Sequence, residues 1–552
     1  MLNNVTLRFT NSPRLDFQAK GVTIFVGPNN SGKSLVLKEL EECFTQPSAR
    51  RLIVENLSFD VPGKDIIHST IDDFERRYSA KDAPGHVDIG GFSSGQGRQV
   101  ERLHVQSLRQ MTNDLERLAD PRAWYINFFG KWGVLRLDGR SRFNLTDDQA
   151  GGDLTREPQN ILAYIFSNDA IRKKIRKTIR DALGLYYVID PTNLGQLRIR
   201  LSKTEPLNDE QSLSEAARSY HKNATYIKET SDGVQALTGI LTAIMSGEYH
   251  TILVDEPEAF LHPPLARKLG KSLASLANER NRVLMASTHS PDFLMGCISS
   301  TKNARVVRLE YQDGKSRGRI VDSKQLEEMF KRPLMRSANV ISALFHDGVI
   351  VTESDNDRVF YSEIYYRITK DQDDAPSILF INAQNKQTVK DIIDPLRQFG
   401  VPAAAIVDID VVKDGGSVWT GWLKAAQIPA ALHSGVSSQR SVIYDRLQAS
   451  GKDMKKDGGV NTLSPQDRAA ANDFLDNLNS YGLFIVRHGE LENWLIEMGI
   501  KGKKTEWAVG MLERLGGDPD DNDYIHPGSD DVWSFMMTII DWVKNSARKG
   551  MP

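Results

Sequence analysis

The stretch GVTIFVGPNNSGKS, residues 21–34, decides the fold of the first half of the chain. Its apolar beginning, GVTIFV, ends at a glycine and predicts a buried β-strand. The next eight residues match the pattern G-x-x-x-x-G-K-[ST] at every fixed position, and apolar residues then recur at helical spacing from Leu35 to Cys43. A strand, a glycine-rich turn and a helix in this order direct backbone N–H groups and a helix N-terminus at a phosphate group.

This loop predicts a site for ATP and its metal ion. Lys33 would neutralise the β- and γ-phosphates, and the hydroxyl of Ser34 could be a ligand of Mg²⁺. The residues expected to bind the nucleotide are Gly27, Asn29, Asn30, Ser31, Gly32, Lys33 and Ser34.

Two segments further along the chain supply the groups that ATP hydrolysis requires. In TILVDEPEAFLHP, residues 251–263, an apolar strand ends in Asp255 and Glu256. Adjacent acids at such a position are costly unless a cation neutralises them, so Asp255 is predicted to face Mg²⁺ and Glu256 to polarise the attacking water. His289 ends the next apolar strand and is predicted to sense the γ-phosphate.

These motifs resemble the ABC ATPase superfamily and, more narrowly, its soluble SMC-like branch. The resemblance implies two ATP molecules held between two copies of the chain, hence a homodimer or a higher even oligomer. It also implies that a Ser/Gly segment opening a helix contacts the nucleotide of the partner copy. Ser231 and Gly233 lie in such a segment, with Ser231 24 residues before Asp255 (255 minus 231). A similar string at 93–97 opens no apolar helix and is interpreted as loop, and residues 158–160 are a candidate for the family's glutamine switch.

Composition narrows the class of protein. The chain has 552 residues, enough for three or four domains at about 150 residues each. Hydrophobic residues make up 40% of the chain, which is ordinary for a globular protein. The net charge is −2, so the overall charge does not indicate binding to nucleic acid. The two cysteines stand apart without Cys or His partners, which argues against disulfides and zinc fingers and favours a reducing, cytoplasmic setting. No apolar run approaches the ~20 residues that cross a bilayer, so no membrane association is expected.

One predicted helix, within residues 167–182, is strongly basic. Ile171, Ile175 and Ile179 form an apolar stripe, and lysines and arginines cover the remaining surface. Two interpretations stay open: these charges meet acids on a neighbouring element, or they contact a DNA backbone.

The second half of the chain alternates strands and helices again, and its strands end in acids. The acids are Glu353 and Asp357 after GVIVT, Asp408 and Asp410 after AAAIV, and Glu490 and Glu492 after YGLFIV. Helical and strand periodicity allow the two members of the first two pairs to face the same point. Carboxylate oxygens suit Mg²⁺ or Mn²⁺, and two such ions about 4 Å apart could hold the attacking and leaving oxygens of a phosphodiester.

The acids resemble a TOPRIM domain, the metal-binding module of topoisomerases, primases and certain nucleases. An ABC-type ATPase followed by TOPRIM resembles the OLD (overcoming lysogenisation defect) family, and this resemblance covers nearly the whole chain. It implies a nuclease site in which Glu353, Asp408 and Asp410 hold metal ions. The family's late lysine is expected among Lys501, Lys503 and Lys504. Where the family often has glycine this chain has Ser354, which could alter the metal geometry.

The expected architecture is α/β. An ABC-type P-loop ATPase domain is expected at 1–310, with a helical insertion at about 65–185 that could serve dimerisation. Linker helices are expected at 311–345 and a TOPRIM-like domain with C-terminal helices at 346–552.

The leading functional hypothesis is an ATP-gated, divalent-metal-dependent DNA endonuclease, and the resemblance alone implies a role in bacterial antiphage defence. The alternative is an ATPase whose inactive TOPRIM domain scaffolds and regulates a separate effector, such as a nuclease or a retron component. A third hypothesis is DNA tethering or repair signalling without cutting.

Overall fold

The computed structural model describes residues 2–80, 82–92, 97–139, 141–247, 249–279 and 282–552. Packing divides the chain into two compact units. The first comprises Met1–Val26 and Asn30–Lys324, and the second comprises Gly27–Asn29 and Gln325–Pro552.

The first unit mixes strands and helices. Its strands are β1 (Leu2–Leu7), β2 (Leu15–Gln18), β3 (Val22–Val26), β4 (Val54–Phe59), β5 (His86–Phe92), β6 (Arg98–His104), β7 (Val134–Leu137), β8 (Gln149–Ala150), β9 (Tyr186–Asn193), β10 (Gln196–Ser202), β11 (Thr225–Tyr226), β12 (Thr251–Asp255), β13 (Val283–Ser287), β14 (Ala304–Gln312) and β15 (Lys315–Val321). Its helices are α1 (Lys33–Thr45), α2 (Lys64–Tyr78), α3 (Val105–Asn113), α4 (Pro121–Phe128), α5 (Ser141–Asn144), α6 (Ile161–Ser167), α7 (Asp169–Leu183), α8 (Glu215–Asn223), α9 (Asp232–Ser246), α10 (Pro263–Glu279) and α11 (Pro291–Ile298).

A six-stranded sheet organises the first unit, with the order β15-β14-β3-β13-β12-β7. All neighbours are parallel except β15, which pairs with β14 as an antiparallel hairpin. Strands β3 and β13 are buried along their whole length, as expected for a parallel sheet that is covered on both faces. Because parallel strands end at the same edge, the loop after β3 lies beside the carboxyl ends of β12 and β13.

Smaller antiparallel sheets flank this core. One has the order β2-β1-β4, and another joins β11, β10 and β8, with β9 also paired to β10. Helix α1 connects the first of these sheets to the central one, because Val36, Leu37 and Leu40 pack in one apolar cluster with Val5 and Phe25. Burial of leucine and valine side chains in such a cluster contributes roughly 1.5–3 kcal/mol each.

Residues 65–185, where the sequence predicts a helical insertion, contain strands as well as helices. Strands β5 and β6 form a hairpin there, and β7 belongs to the six-stranded sheet. Val87 and Ile89 of β5 are buried in alternation. Gly90 serves packing, because a Cβ there would lie 1.9 Å from the Gln99 carbonyl oxygen. Within the string at 93–97, residues 93–96 lie outside the described residues.

The second unit contains the remaining elements. They are α12 (Ser323–Lys331), α13 (Ala338–Ser342), β16 (Gly348–Thr352), α14 (Asp355–Thr369), β17 (Ile378–Asn382), α15 (Lys386–Gln398), β18 (Ala403–Val407), α16 (Gly416–Ala425), α17 (His433–Ala449), α18 (Pro465–Ser480), β19 (Leu483–Ile485), α19 (Thr505–Leu515) and α20 (Asp531–Lys544). Helix α12 begins two residues before the start of this unit.

Residues 311–345 are not linker helices throughout. Strand β14 extends to Gln312 and β15 begins at Lys315, so the first third of this segment belongs to a hairpin. Its turn residues Asp313 and Gly314 have φ angles of 51° and 76°, as a tight two-residue hairpin turn requires. Helices α12 and α13 follow, as expected.

A four-stranded parallel sheet with the order β17-β16-β18-β19 forms the centre of the second unit. Helices α14, α19 and α20 pack on one face, where Ile350, Ile406 and Phe484 join a cluster containing Trp494 and Trp533. Helix α15 follows β17 and crosses to β18, which is the strand–helix–strand connection of α/β folds. The carboxyl ends of β16, β18 and β19 therefore meet at one edge.

None of the helices in the described residues combines the length and apolar character needed to span a bilayer.

Candidate nucleotide and carboxylate sites

The glycine-rich loop joins β3 directly to α1, in the order that its sequence predicts. Gly27 and Gly32 have φ angles of 142° and 95°, and Gly32 is the N-cap of the helix. A Cβ at Gly32 would also lie 2.8 Å from Cδ1 of Ile53, so both backbone conformation and space require glycine. The first backbone N–H groups of α1 therefore remain available to an anion.

The Ser34 hydroxyl of the loop contacts Asp255, the acid that ends β12. The Ser34 hydroxyl donates to Oδ1 of Asp255 at 2.9 Å, and the Ser287 hydroxyl donates to the same oxygen. The Lys33 ammonium donates to the Ser31 hydroxyl at 3.4 Å. Burial lowers the pKa of Lys33 to about 8, although the charges of Glu256 and Asp255 oppose this effect. A bound polyphosphate would stabilise the charged form of this buried lysine. The hydroxyl and carboxylate oxygens of Ser34 and Asp255 are suitable ligands for Mg²⁺, so these residues fit Mg²⁺-ATP.

Glu256 lies one residue beyond β12 and faces His289. Its φ of 46° is a left-handed conformation, which its N–H stabilises by donating to the Ser287 carbonyl oxygen at 3.1 Å. Oε1 of Glu256 lies 3.5 Å from Nε2 of His289. Burial, reinforced by the charge of Lys33, lowers the pKa of His289, so the imidazole is neutral near pH 7.

A third acid, Glu258, supports this turn and was missed in the sequence. Its Oε1 accepts hydrogen bonds from the Thr288 hydroxyl at 2.8 Å and from the His289 N–H at 2.9 Å. Burial raises the pKa of Glu258. In the sequence, Glu258 is marked only by its position two residues after Glu256, and this position does not predict a hydrogen bond to the His289 backbone.

Ser231 and Gly233 lie at the start of α9. Ser231 is the exposed N-cap, and its side chain makes no capping hydrogen bond. Gly233 is buried, and a Cβ at this position would lie 2.5 Å from the Phe260 carbonyl oxygen. Glycine is thus needed for close packing against the turn that follows the acid pair. Gln159, the glutamine-switch candidate, donates its amide to the Glu157 carbonyl oxygen in its own loop.

Much of the charge on the basic helix α7 is used within the fold. Arg172 is buried, donates to the Phe166 carbonyl oxygen at 2.7 Å, and its Nε lies 3.5 Å from Oε1 of Glu210. Arg176 pairs with Glu210, and Lys174 pairs with Glu279. For these three side chains the structure supports the interpretation that the charges meet acids on neighbouring elements.

In the second unit, two of the predicted acids are directly adjacent. Glu353 follows β16 and Asp408 follows β18, and these strands are parallel neighbours. The Asp408 N–H donates to Oε1 of Glu353 at 3.1 Å. Burial, together with the charge of Asp408, raises the pKa of Glu353 to about 8. Burial also raises the pKa of Asp408, although the nearby Lys455 opposes this effect.

Other predicted acids affect the same site. Burial raises the pKa of Asp357 to about 6, with a contribution from the charge of Asp408. Burial raises the pKa of Glu490, helped by the charge of Glu492. Glu492 also accepts the Lys504 N–H at 2.8 Å through Oε1. These carboxyl groups therefore interact electrostatically, which is the pattern of a site that needs a cation.

Ser354, the departure from the family pattern, has a clear local role. It is the N-cap of α14 and forms a reciprocal capping box, in which Oδ2 of Asp357 accepts its N–H at 2.9 Å and its hydroxyl at 2.8 Å. Its φ of −130° is ordinary extended backbone, so glycine is not needed for conformation. One oxygen of Asp357 is thereby occupied, and only Oδ1 remains for a metal ion.

Two lysines that were not predicted from the sequence contact the acids. The Lys455 ammonium lies 2.6 Å from Oδ2 of Asp408 and 3.6 Å from Oε2 of Glu490. The Lys386 ammonium lies 3.2 Å from Oδ1 of Asp410. In contrast, no ion pair within the described part of the chain joins these acids to the expected late lysines, Lys501, Lys503 and Lys504.

The carboxylate oxygens of this site are suitable ligands for a divalent cation, but they are not arranged around a single ion position. Its carboxylate oxygens are the ligands that Mg²⁺ and Mn²⁺ prefer, and burial without a cation destabilises their charged forms. Over the residues that the structure describes, no group of three or more His, Cys, Asp or Glu side chains is arranged to hold a metal ion. Instead, Lys455 lies between Asp408 and Glu490, and Lys386 lies between Asp410 and Asp414.

The raised pKa values predict that the metal-free protein loses stability as pH rises. The folded state binds a proton on Glu353 more tightly than the unfolded state, in which the pKa is near 4.5. This contribution is therefore fully present below about pH 4.5 and is lost as pH rises to about 8. We expect Glu353→Gln in EDTA to raise the thermal unfolding temperature near pH 8 relative to the wild type, and to change it little near pH 5. A variant that is equally destabilised at both pH values would contradict this expectation.

Models of known protein families match two parts of the chain. Residues 22–295 match an AAA domain named for the AbiEii toxin of type IV toxin–antitoxin systems. Residues 344–410 match the TOPRIM domain of proteins like the overcoming lysogenization defect protein.

Individual proteins are also similar to parts of the chain. The chain is 23% identical over 452 residues to an OLD nuclease of Thermus scotoductus, an alignment covering 72% of this chain and 79% of that protein. It is 23% identical over 169 residues to the Old nuclease of Escherichia phage P2, covering 30% and 28% respectively. Among solved structures, an SMC head bound to the C-terminal winged-helix domain of ScpA aligns with a TM-score of 0.34 and 12% identity, over 60% of this chain and 99% of that chain. The chain thus combines an AAA-type ATPase domain with a TOPRIM domain like that of the overcoming lysogenization defect protein, which is the pair of α/β domains predicted from the sequence.

Proposed function

We propose that this protein is an ATP-gated, divalent-metal-dependent DNA endonuclease. The observation that carries the proposal is the meeting of Glu353 and Asp408 at the carboxyl edge of one parallel sheet. The names of its relatives, OLD nuclease and Old nuclease, support cutting of nucleic acid by a site of this kind.

In the ATPase domain, each predicted residue has a role that fits its position. Lys33 would bind the β- and γ-phosphates, and Ser34 and Asp255, which share a hydrogen bond, would hold Mg²⁺. Glu256 orients and polarises the attacking water, and the neutral His289 donates a hydrogen bond to the γ-phosphate.

ATP would act between two copies of the chain. The exposed Ser231 hydroxyl and the N-terminus of α9 are suited to a γ-phosphate presented by the partner copy. Gly233 allows α9 to pack closely against the turn at Phe260, so the segment with Ser231 and Gly233 lies beside the turn that follows the acid pair. A homodimer is the smallest assembly with two such sites, and nucleotide-dependent closure would control access of DNA to the carboxylates.

Glu258 is expected to position His289 rather than to react. Its replacement by alanine leaves the His289 N–H and the Thr288 hydroxyl without their acceptor, at a cost of roughly 1–3 kcal/mol. We expect Glu258→Ala to lower kcat for ATP hydrolysis about tenfold while nucleotide binding changes little, since a factor of ten corresponds to about 1.4 kcal/mol. Steady-state ATPase assays and binding of a fluorescent ATP analogue measure the two quantities.

The conservative variant separates positioning from folding. In Glu258→Gln the amide oxygen can still accept both hydrogen bonds, so kcat should return close to the wild-type value. Equal loss of activity in both variants would show that the charge of Glu258, rather than its acceptor oxygen, is what matters.

At the carboxylate site, Glu353, Asp408 and Asp410 are the principal candidates for holding divalent ions, with Asp357, Glu490 and Glu492 completing the donor set. Bound Mg²⁺ or Mn²⁺ would activate the nucleophile and stabilise charge on the phosphodiester. The protein's own contribution is to fix the carboxylates on strand ends and to keep them partly out of water, where their interaction with a cation is strengthened.

A direct test uses supercoiled plasmid as the substrate. Purified protein is incubated with plasmid and Mg²⁺ or Mn²⁺, with and without ATP or a non-hydrolysable analogue. We expect nicked or linear product that requires metal, disappears with EDTA and changes in yield with nucleotide. Identical yield in every nucleotide state would contradict gating, and no product under any condition would contradict the nuclease.

One observation favours the alternative, an ATPase with an inactive TOPRIM domain that regulates a separate effector. Two lysines neutralise part of the carboxylate cluster, and no closed metal geometry exists among the described residues. Retained ATPase activity without plasmid cutting would support this scaffold, whose partner could then be isolated. The resemblance to OLD proteins also suggests a role in antiphage defence, and the plating efficiency of phages on expressing cells tests it.

A further inference from the structure

We infer that the ammonium group of Lys455 occupies one of two cation positions in the carboxylate site, so that the site takes a single divalent ion. The inference rests on the proposed nuclease function and deepens it. It replaces the two-metal arrangement expected from the sequence by one metal ion and one fixed ammonium.

Lys455 bridges acids that come from different strands. Its Nζ lies 2.6 Å from Oδ2 of Asp408, which follows β18, and 3.6 Å from Oε2 of Glu490, which follows β19. A divalent ion bound to carboxylate oxygens at about 2.0–2.6 Å would occupy the same space. Lys455 and a second metal ion therefore exclude each other at this position.

The backbone around Lys455 shows that the lysine is built into the site. The side-chain amide of Asn493 donates to the Lys455 carbonyl oxygen at 2.6 Å and to the His488 carbonyl oxygen at 2.6 Å. Gly489 has a φ of 117°, and a Cβ there would lie 2.0 Å from the Lys455 carbonyl oxygen. The turn that carries Lys455 is thus locked against the turn that carries Glu490.

The remaining acids are the candidates for holding the one divalent ion. Across the described ranges, no ion pair joins a lysine or arginine to Glu353, Asp357 or Glu492. Asp408 is adjacent to Glu353 and interacts electrostatically with Asp357, and its Oδ1 is not used by Lys455. We therefore assign the single divalent ion to the acids that lack a lysine or arginine partner, Glu353, Asp357 and Glu492, together with Oδ1 of Asp408.

Charge explains why a lysine can serve here. Two divalent ions about 4 Å apart repel each other strongly, and a site with many carboxylates is required to balance them. Lys386 already neutralises Asp410, at 3.2 Å, so fewer free carboxylates remain. The positive charge of Lys455 adds to that of Lys386 and presents an ammonium to a phosphate bound at the metal.

The test counts bound Mn²⁺ per chain in nucleotide-free protein by electron paramagnetic resonance and isothermal titration calorimetry. The count is made in a Ser34→Ala background so that the nucleotide site does not contribute. We expect one ion in the Lys455 protein and two in Lys455→Met, because removal of the ammonium frees the second position. Lys455→Gln should also give two ions, Lys455→Arg should give one, and the exposed neighbour Lys456→Met is the matched control with one.

The outcomes separate this inference from the function on which it rests. One ion in both the Lys455 protein and the folded Met and Gln variants overturns the inference and leaves the nuclease intact. Two ions in the Lys455 protein also overturn it. Zero ions in every variant overturns the metal-dependent nuclease itself. Circular dichroism identifies any variant that fails to fold, in which case the Gln variant provides the measurement.

Discussion

Replacing Asp408 by asparagine should abolish DNA cleavage while ATP hydrolysis continues. Asp408 stands at the centre of the carboxylate cluster, since its N–H holds Glu353 and its Oδ2 holds the ammonium of Lys455. Asparagine preserves the shape of the side chain and removes the charge that a cation needs. Loss of several kcal/mol of charge stabilisation corresponds to a fall in the cleavage rate of roughly a hundredfold or more.

The measurement compares initial rates of plasmid nicking with rates of phosphate release from ATP in the same preparations. Asp374→Asn is the matched control, because Asp374 is exposed in the same unit and its surface ion pair with Lys544 contributes little. Cleavage by Asp408→Asn at the wild-type rate would place the cutting site elsewhere or assign it to a contaminant. Loss of both activities would mean that the substitution disrupts the fold.

The parts of the fold and the sites that could be predicted from sequence are those governed by local rules. The turn between β3 and α1 is encoded by glycines whose φ angles are positive, and strand ends are visible because apolar runs stop at acids. The adjacency of Glu353 and Asp408 follows from parallel pairing, which places successive strand ends at one edge. In each case a short segment of sequence is enough to predict the local structure.

The parts that could not be predicted depend on contacts between distant segments. Lys455 reaches Asp408 across 47 residues, through a turn that only the packing of Gly489 and Asn493 explains. Glu258 acts through a backbone N–H, and no residue type signals that role in a sequence. The hairpin β5–β6 was not predicted, because its strand β5 contains glycine, which is typical of loops. Gly90 is needed there because the backbone of Gln99 leaves no space for a Cβ.

Replacing Glu256 by glutamine should nearly stop ATP hydrolysis and leave ATP bound. Glutamine has the same shape, and the left-handed backbone at this position is held by the Ser287 carbonyl oxygen rather than by the carboxylate. The amide is a poor proton acceptor for the attacking water, and loss of general-base assistance lowers rates by roughly 10²–10⁴. Burst and steady-state phosphate release measure the rate, and equilibrium binding of ATP shows that the site remains intact.

The same variant reports on assembly, because ATP that is not hydrolysed would keep two copies of the chain together. Sedimentation velocity with ATP should therefore show a larger dimer fraction for Glu256→Gln than for the wild type, and Ser231→Ala in the same background should reduce it. Glu279→Gln, which changes an exposed acid paired with Lys174, is the control that leaves hydrolysis unchanged. Rapid hydrolysis by Glu256→Gln would exclude this residue as the group that activates water, and His289, 3.5 Å away, would become the next candidate.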